Sequence, residues 1–215
     1  MRTEAYKKAA GFSNSYLSKV KDILMGKKPF MGSPAAIFGE ALHQMILEPH
    51  LYQSANFKSF GSSEFSKLDK MVAAIEKNRL WAYTRHLEGF TERQLLWTDE
   101  VTGLKCKGIL DRQVGGDVMD IKTTSATSLD EFSHHIDRYE YQRQAAMYLD
   151  AVNAEFFTWV CISKRNYSTF NYTVHRDDPL IEEGRKMYRF LLNKCKRLGI
   201  EPNDSIEVIK RKAGK

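Results

Sequence analysis

One segment, residues 103–124, constrains the fold of this chain more than any other part of its sequence. It contains two runs of residues typical of β-strands, separated by a Gly-Gly-Asp turn at residues 115–117. Two such runs around a short glycine-rich turn predict a β-hairpin. Asp111 lies near the end of the first strand, whereas Asp120 and Lys122 share a face of the second strand, because side chains alternate with period two. We therefore expect two carboxylates and an ammonium on one face of this hairpin.

The charges of this hairpin have a second explanation, because strands at a protein surface commonly carry charges on their solvent face. Two features favour a functional site instead. Met119 and Ile121 give the opposite face an apolar character, and Thr123 and Thr124 follow where the strand should end. From the spacing alone, a catalytic metal site and a structural charge cluster both remain open.

The hydrophobic pattern of the remaining chain predicts how the hairpin is embedded. Apolar residues at helical spacing predict helices over residues 13–25, 34–48, 64–79, 139–153 and 179–198. Strand patterns occur over residues 90–98, 155–163 and 167–175. Residues 125–138 form a polar stretch without a predicted element. This order predicts an α/β fold: a central mixed β-sheet with an antiparallel meander, flanked by helices, one of which crosses over between strands.

Length and charge limit the class of protein. The 215 residues suit a single domain over 1–215, with its core at about 34–198 and a basic tail at 199–215. The sequence has neither a membrane-length apolar run nor an apolar secretory signal at its start, so we expect a cytoplasmic protein. Three widely spaced cysteines predict neither a disulfide framework nor a zinc cluster. The net charge of +6 suits a polyanionic partner, although many basic proteins bind no nucleic acid.

Three further residues outside the hairpin are candidates for the same site. His43 lies four residues after Gly39 in the apolar helix predicted over 34–48. A lone histidine on such a helix is more often a hydrogen-bonded core residue than a metal ligand. Glu40 precedes this histidine on the same helix, and Glu92 lies on the strand before the hairpin; for both, an exposed glutamate is the alternative interpretation.

Several motifs, in the right order along the chain, resemble those of a known family. Asp111, eight further residues and Asp120-Ile121-Lys122 resemble the signature of the PD-(D/E)xK nucleases. Gly39-x-x-x-His43 upstream and Gln144-x-x-x-Tyr148 downstream resemble motifs of the RecB-like and RecE-like branches. Within the family, the chain is most similar to RecE-like exonucleases of phages and prophages, on the evidence of Asn14-Ser15-x-Leu17 and Leu47-Glu48-Pro49.

The resemblance implies a site for Mg²⁺ or Mn²⁺, which hard oxygen ligands and one imidazole would bind. The implied ligands are Asp111, Asp120, His43 and the backbone carbonyl of Ile121. Lys122 is expected to orient or help deprotonate the attacking water and to stabilise the developing negative charge. The remaining implied roles are the positioning of substrate or water by Gln144 and Tyr148, support behind the ligands from Glu40 and Glu92, and DNA contacts from Lys27, Lys28, Arg112, Thr123 and Thr124.

The implied function is hydrolysis of linear double-stranded DNA from its ends, in phage-type recombination or repair, inside a bacterial or phage-infected cell. Related recombination exonucleases form rings, so the expected assembly is a trimer or tetramer, with a single-strand annealing protein as partner. Two alternatives remain at this point. A PD-(D/E)xK endonuclease would use the same metal centre, and a non-catalytic DNA-binding module would keep the fold without the chemistry. For the implied DNA contacts of Lys27 and Lys28, the alternative interpretation is that both residues lie in a solvated turn.

Overall fold

The computed structural model describes residues 3–214 and contains one five-stranded β-sheet. Its strands are β1 (Phe90–Thr98), β2 (Lys105–Val114), β3 (Asp117–Thr124), β4 (Phe156–Ser163) and β5 (Thr169–His175). They lie in the sheet in sequence order; β3 and β4 are parallel, and the other neighbouring pairs are antiparallel. The predicted mixed sheet with an antiparallel meander is confirmed.

Helices cover both faces of this sheet. In the described residues they are α1 (Glu4–Lys8), α2 (Asn14–Leu24), α3 (Pro34–Leu47), α4 (Ser62–Ile75), α5 (Arg79–Thr84), α6 (Leu129–Tyr139), α7 (Tyr141–Val152), α8 (Pro179–Leu198) and α9 (Ile206–Lys212). Two 3₁₀ turns, Pro49–Leu51 and Ser54–Asn56, follow α3. The pair α6 and α7 makes the crossover that the parallel strands β3 and β4 require. Within the described part of the chain, none of these helices combines the length and apolarity that a bilayer span requires.

The hydrophobic core has two parts, one on each face of the sheet. Helices α2, α6, α7, α8 and α9 contribute to one part, and α3, α4 and α5 contribute to the other. Strand β4 contributes to both, since Phe157 and Trp159 pack on the first side and Val160 and Ile162 pack on the second. A strand buried on both faces has a nearly continuous apolar sequence, as β4 does. The hairpin therefore lies within a three-layer α/β/α structure.

Two segments differ from the sequence-based expectation. The polar stretch at 125–138 contains α6, in which Phe132 and Ile136, four residues apart, are both buried. The expected basic tail contains α9, whose Ile209 is buried in the same core as Leu17 of α2. The core therefore extends beyond the expected 34–198 at both ends.

Candidate active site

The hairpin of β2 and β3 opens where its acidic residues lie. The ladder described between the two strands ends at the pair Arg112 and Met119. Next to this pair, the Asp111 carboxylate takes the place of a backbone acceptor, because its Oδ2 accepts a hydrogen bond of 2.7 Å from the Ile121 amide. This bond fixes the orientation of Asp111 at the point where the strands separate.

Asp120, Lys122 and Gln144 form a closed group beside Asp111. Lys122 Nζ lies 2.8 Å from Asp120 Oδ2 and donates to Gln144 Oε1 over 2.9 Å, while Gln144 Nε2 donates to Asp120 Oδ1 over 3.1 Å. The ion pair with Lys122 occupies the buried Oδ2 oxygen of Asp120. Burial by itself lowers the pKa of Lys122, but Asp120 above all raises it, and the net direction is upward. The lysine is therefore held as an ammonium.

His43, Glu92 and Asp111 can offer ligands to one metal ion, since one atom from each lies within 4.8 Å of the others. His43 Nε2 donates to the Ile121 carbonyl oxygen over 2.7 Å, and Nδ1 lies 3.5 Å from Asp111 Oδ2. Metal-binding histidines commonly donate their other ring N–H to a carbonyl, which fixes the tautomer. We assign the proton to Nε2 from this contact, so the Nδ1 lone pair faces the two carboxylates.

Both carboxylates in this group have raised pKa values. Burial raises the pKa of Glu92 to about 7, and the charges of Asp111 and Glu48 add to this effect. Burial also raises the pKa of Asp111 to about 6, with His43 opposing the shift and Asp120 increasing it. A bound cation would relieve this repulsion.

The sequence-based expectation placed Glu92 behind the ligands and Asp120 among them. The structure brings Glu92 to ligand distance from Asp111 and His43, whereas Asp120 lies next to this group and contacts Lys122. The Ile121 carbonyl, also expected to bind metal, accepts the hydrogen bond of His43.

Glu92 has an unusual backbone conformation for a strand residue. Its φ of 50° lies in the left-handed region, which costs a residue with a Cβ about 1–2 kcal/mol. The residues on either side of it remain paired, with Thr91 opposite Arg112 and Arg93 opposite Leu110. The distortion therefore lies directly opposite Asp111, at the candidate site.

The position of Arg112 is related to this distortion at Glu92. Regular alternation puts Leu110 and Arg112 on one face of β2, but Leu110 packs in the core of α7, while Arg112 donates to the carbonyl oxygens of Thr84 and Leu87 at the end of α5. Arg112 is only 4% exposed. Its guanidinium holds this backbone in place, so Arg112 lies buried here and not on the exposed surface that a DNA contact needs.

Tyr148 packs against a strand residue that has no side chain. A Cβ at Gly108 of β2 would lie 2.6 Å from Tyr148 Cε1, so the ring occupies the space that a side chain would need. Burial raises the pKa of Tyr148 to about 12, which keeps its phenol protonated. A hydrogen bond with Gln144, which lies one helical turn earlier, opposes this rise. Gly108 thus sets the position of Tyr148, and the sequence analysis missed it.

The candidate metal ligands and the group around Lys122 line one cleft of about 1050 Å³. The sequence analysis also missed other residues that line it, from α1, the N-terminus of α2 and β2: Tyr6, Lys7, Ser13 and Lys107. Glu40, predicted to lie behind the ligands, is an exposed residue of the same cleft.

The remaining predicted DNA contacts lie outside this cleft. Lys27 and Lys28 are exposed in the loop between α2 and α3. Thr123 lines a second cleft, and so does Thr124, whose hydroxyl lies 2.9 Å from His135 Nδ1.

Comparison with solved structures supports the fold. A protein from Eubacterium rectale that has a provisional description as an exonuclease aligns with 98% of this chain and 87% of its own, at 17% identity and a TM-score of 0.66. An alkaline exonuclease from Laribacter hongkongensis aligns over 99% and 98% of the two chains, at 17% identity and a TM-score of 0.45. A phage-related exonuclease from Haemophilus somnus 129PT aligns over 90% and 97%, at 13% identity and a TM-score of 0.44. Only the first TM-score is high enough to indicate a shared fold, and at 17% identity it indicates the fold alone.

A family model provides the assignment that these structures do not. No curated protein sequence is significantly similar to this chain. One family model matches residues 5–203, a range that includes the hairpin, the His43 helix and the Gln144 helix. The chain therefore belongs to the family described as a PDDEXK-like domain of unknown function (DUF3799).

Proposed function

We propose that this protein is a metal-dependent deoxyribonuclease that hydrolyses linear double-stranded DNA from its ends. The observation that carries the proposal is the contact network at the open hairpin. There Lys122, paired with Asp120, lies beside the His43, Glu92 and Asp111 group. An ammonium next to clustered carboxylates is the arrangement that phosphodiester hydrolysis requires.

The residues present fit a divalent cation. Two carboxylates with raised pKa values and one correctly oriented imidazole form the candidate ligand group. Oxygen ligands with one imidazole favour Mg²⁺ or Mn²⁺. When bound, such an ion polarises the phosphate and lowers the pKa of a bound water.

The protein's own groups have separate roles in the proposed reaction. Lys122 is held as an ammonium, so it donates hydrogen bonds to the attacking water and to the charged phosphate oxygens, and it is less suited to remove a proton. Gln144 holds Lys122 and Asp120 in position, because its Oε1 accepts a hydrogen bond from Lys122 and its Nε2 donates one to Asp120. Tyr148 keeps its proton and offers a donor at the wall of the cleft.

The proposal extends to the biological setting. We place the enzyme in the cytoplasm of a bacterial or phage-infected cell, where it would act in recombination or repair beside a single-strand annealing protein. A ring of three or four subunits would surround a duplex that one chain of 215 residues cannot enclose. The protein of similar fold from Eubacterium rectale, whose provisional description is an exonuclease, supports an end-dependent activity. The metal centre alone would serve an endonuclease equally well.

The deciding experiment compares linear and covalently closed circular duplexes of the same sequence, with Mg²⁺ or Mn²⁺. We expect mononucleotide or short oligonucleotide release from the linear DNA only. Nicking of the closed circle at a similar rate would favour the endonuclease alternative, and no cleavage of either DNA would favour the non-catalytic module. Sedimentation of the same preparation should show a trimer or tetramer, and a monomer would contradict the ring.

A further inference from the structure

A second cleft, of about 600 Å³, lies at the carboxyl ends of the parallel strands β3 and β4. Thr123, Thr124 and Ser125 line it at the end of β3, and Lys164 lines it directly after β4. The Lys164 amide donates to the Thr124 carbonyl over 2.7 Å, so the two strand ends are held together. In open α/β sheets, ligands commonly bind in the crevice beyond the carboxyl ends of the strands. The second cleft lies beyond the carboxyl ends of the parallel strand pair of the described sheet.

The charges around the second cleft are predominantly positive. Its ionisable lining residues comprise four basic side chains against two acidic ones, in addition to His135: Lys21, Arg138, Arg143 and Lys164 against Asp22 and Glu140. Glu140 pairs with both Lys21 and Arg143. Among the residues that the structure describes, Arg138 and Lys164 have no carboxylate partner. Lys164 is half-buried, and burial together with the charge of Lys67 lowers its pKa. An anion in this cleft would compensate these two cations.

Aromatic rings lie beside these cations. Phe30 is 58% exposed and Tyr139 is 50% exposed, although both line the cleft. The Arg138 guanidinium lies 5.6 Å from the centre of the Tyr139 ring, and Tyr139 lies 5.5 Å from Tyr141. Exposed aromatic rings beside unpaired cations are typical of sites that stack the bases and bind the phosphates of single-stranded nucleic acid.

The second cleft is adjacent to the active site. Tyr141, which lines it, lies 5.0 Å from Lys122 Nζ. Gly39 of the first cleft faces Thr123 of the second, and a Cβ at Gly39 would lie 3.7 Å from Thr123 Oγ1. Gly39 and Thr123 therefore lie close together where the two clefts meet. A strand bound beside Lys122 is within reach of the second cleft.

We propose that the second cleft binds the single strand of DNA that continues from the scissile phosphate, with Arg138 and Lys164 on its phosphates and Phe30 and Tyr139 against its bases. A volume of about 600 Å³ has room for a short single-stranded segment. The inference deepens the proposed function and depends on it, since the scissile phosphate is defined by the metal site.

The test measures the binding of a fluorescently labelled single-stranded oligonucleotide by anisotropy in EDTA, so that no cleavage occurs. The cleft variant combines Arg138→Ala and Lys164→Ala. The control combines Lys186→Ala and Arg197→Ala, which remove the same charge from exposed positions on α8. We expect about tenfold weaker binding for the cleft variant, and a dependence of log K on log salt that is less steep by about 1.4. The control should stay close to the wild type in both.

Equal affinities and equal salt dependence for the cleft variant and the control would overturn the inference, and so would absence of wild-type binding. Thermal unfolding checks that each variant is folded, and Arg138→Gln with Lys164→Gln repeats the test with less change in volume. Nuclease activity is measured separately. If the wild type cleaves DNA and the cleft variant binds the oligonucleotide normally, only this inference is overturned. If the wild type binds through the cleft but never cleaves DNA, the proposed function is overturned instead.

Discussion

Replacing Glu92 by glutamine tests whether this residue is a metal ligand, because its raised pKa couples metal binding to proton release. A carboxyl group must lose its proton to bind a metal ion. With a pKa of about 7, about half of the Glu92 side chains carry a proton at pH 7, about nine-tenths at pH 6 and about one-tenth at pH 8. Mn²⁺ should therefore displace a substantial fraction of a proton from Glu92 at neutral pH.

The magnitude follows from these fractions. Glu92→Gln should reduce the number of protons released per bound Mn²⁺ by about 0.5 at pH 7 and by about 0.9 at pH 6. For the same reason, protonation of Glu92 alone should weaken wild-type Mn²⁺ binding about tenfold between pH 8 and pH 6. The glutamine variant should lose this part of the pH dependence.

Isothermal titration calorimetry in buffers with different ionisation enthalpies measures proton release directly. Glu100→Gln is the matched control, since this exposed glutamate follows the same strand at its far end. If Glu92→Gln and the wild type release equal numbers of protons at pH 6 and pH 7, Glu92 is not a ligand.

The stability of the metal-free protein as a function of pH provides a second test. A raised folded-state pKa makes the wild type less stable as the pH rises from about 4.5 through 7, so Glu92→Gln should remove part of this loss.

Four other substitutions test separate parts of the site. Asp120→Ala and Lys122→Ala should each abolish cleavage. Because the two residues act as a unit, the cleavage rate of the double variant should be no lower than that of either single variant. Additive losses of cleavage rate in a nuclease assay would contradict this. His43→Ala should weaken Mn²⁺ binding at least about tenfold in calorimetry with little change in melting temperature; the opposite pattern would indicate a core histidine. Gly108→Ala should lower the free energy of unfolding by about 1–3 kcal/mol, because Tyr148 must move; an unchanged urea midpoint would refute that packing.

The sequence predicted those parts of the site that follow from local periodicity. Alternation along one strand placed Asp120 and Lys122 on the same face, and their side chains form a 2.8 Å ion pair. The strand bounds of β1, residues 90–98, and the helix bounds of α8, residues 179–198, were also predicted correctly. In each case, neighbouring residues alone determine the outcome.

Alternation failed where the backbone departs from regular geometry. Glu92 adopts a left-handed conformation that asparagine and glycine favour and glutamate does not, so no local signal announced it. The faces of Leu110 and Arg112 separate there, so alternation along β2 does not give the position of Arg112. Only the tertiary position of Glu92 opposite Asp111 explains the distortion.

Other misses had a signal in the sequence. Ser128 followed by Glu131, with Phe132 and Ile136 in one stripe, is a helix start, but the polar composition of the segment obscured it. A glycine inside a strand, such as Gly108, indicates close approach of another group. The identity of that group, Tyr148, depends on the packing of α7 against β2 and is not encoded locally.

The central claim is that the open hairpin is a metal-dependent nuclease site, and the most direct test is the release of acid-soluble nucleotides from a linear duplex. Wild type and Asp120→Ala are compared with Mn²⁺ and with EDTA, and Asp130→Ala, an exposed residue of α6, serves as the control. We predict release only by the wild type and the control, and only with the metal. Release in EDTA, or equal release by Asp120→Ala, would contradict the account.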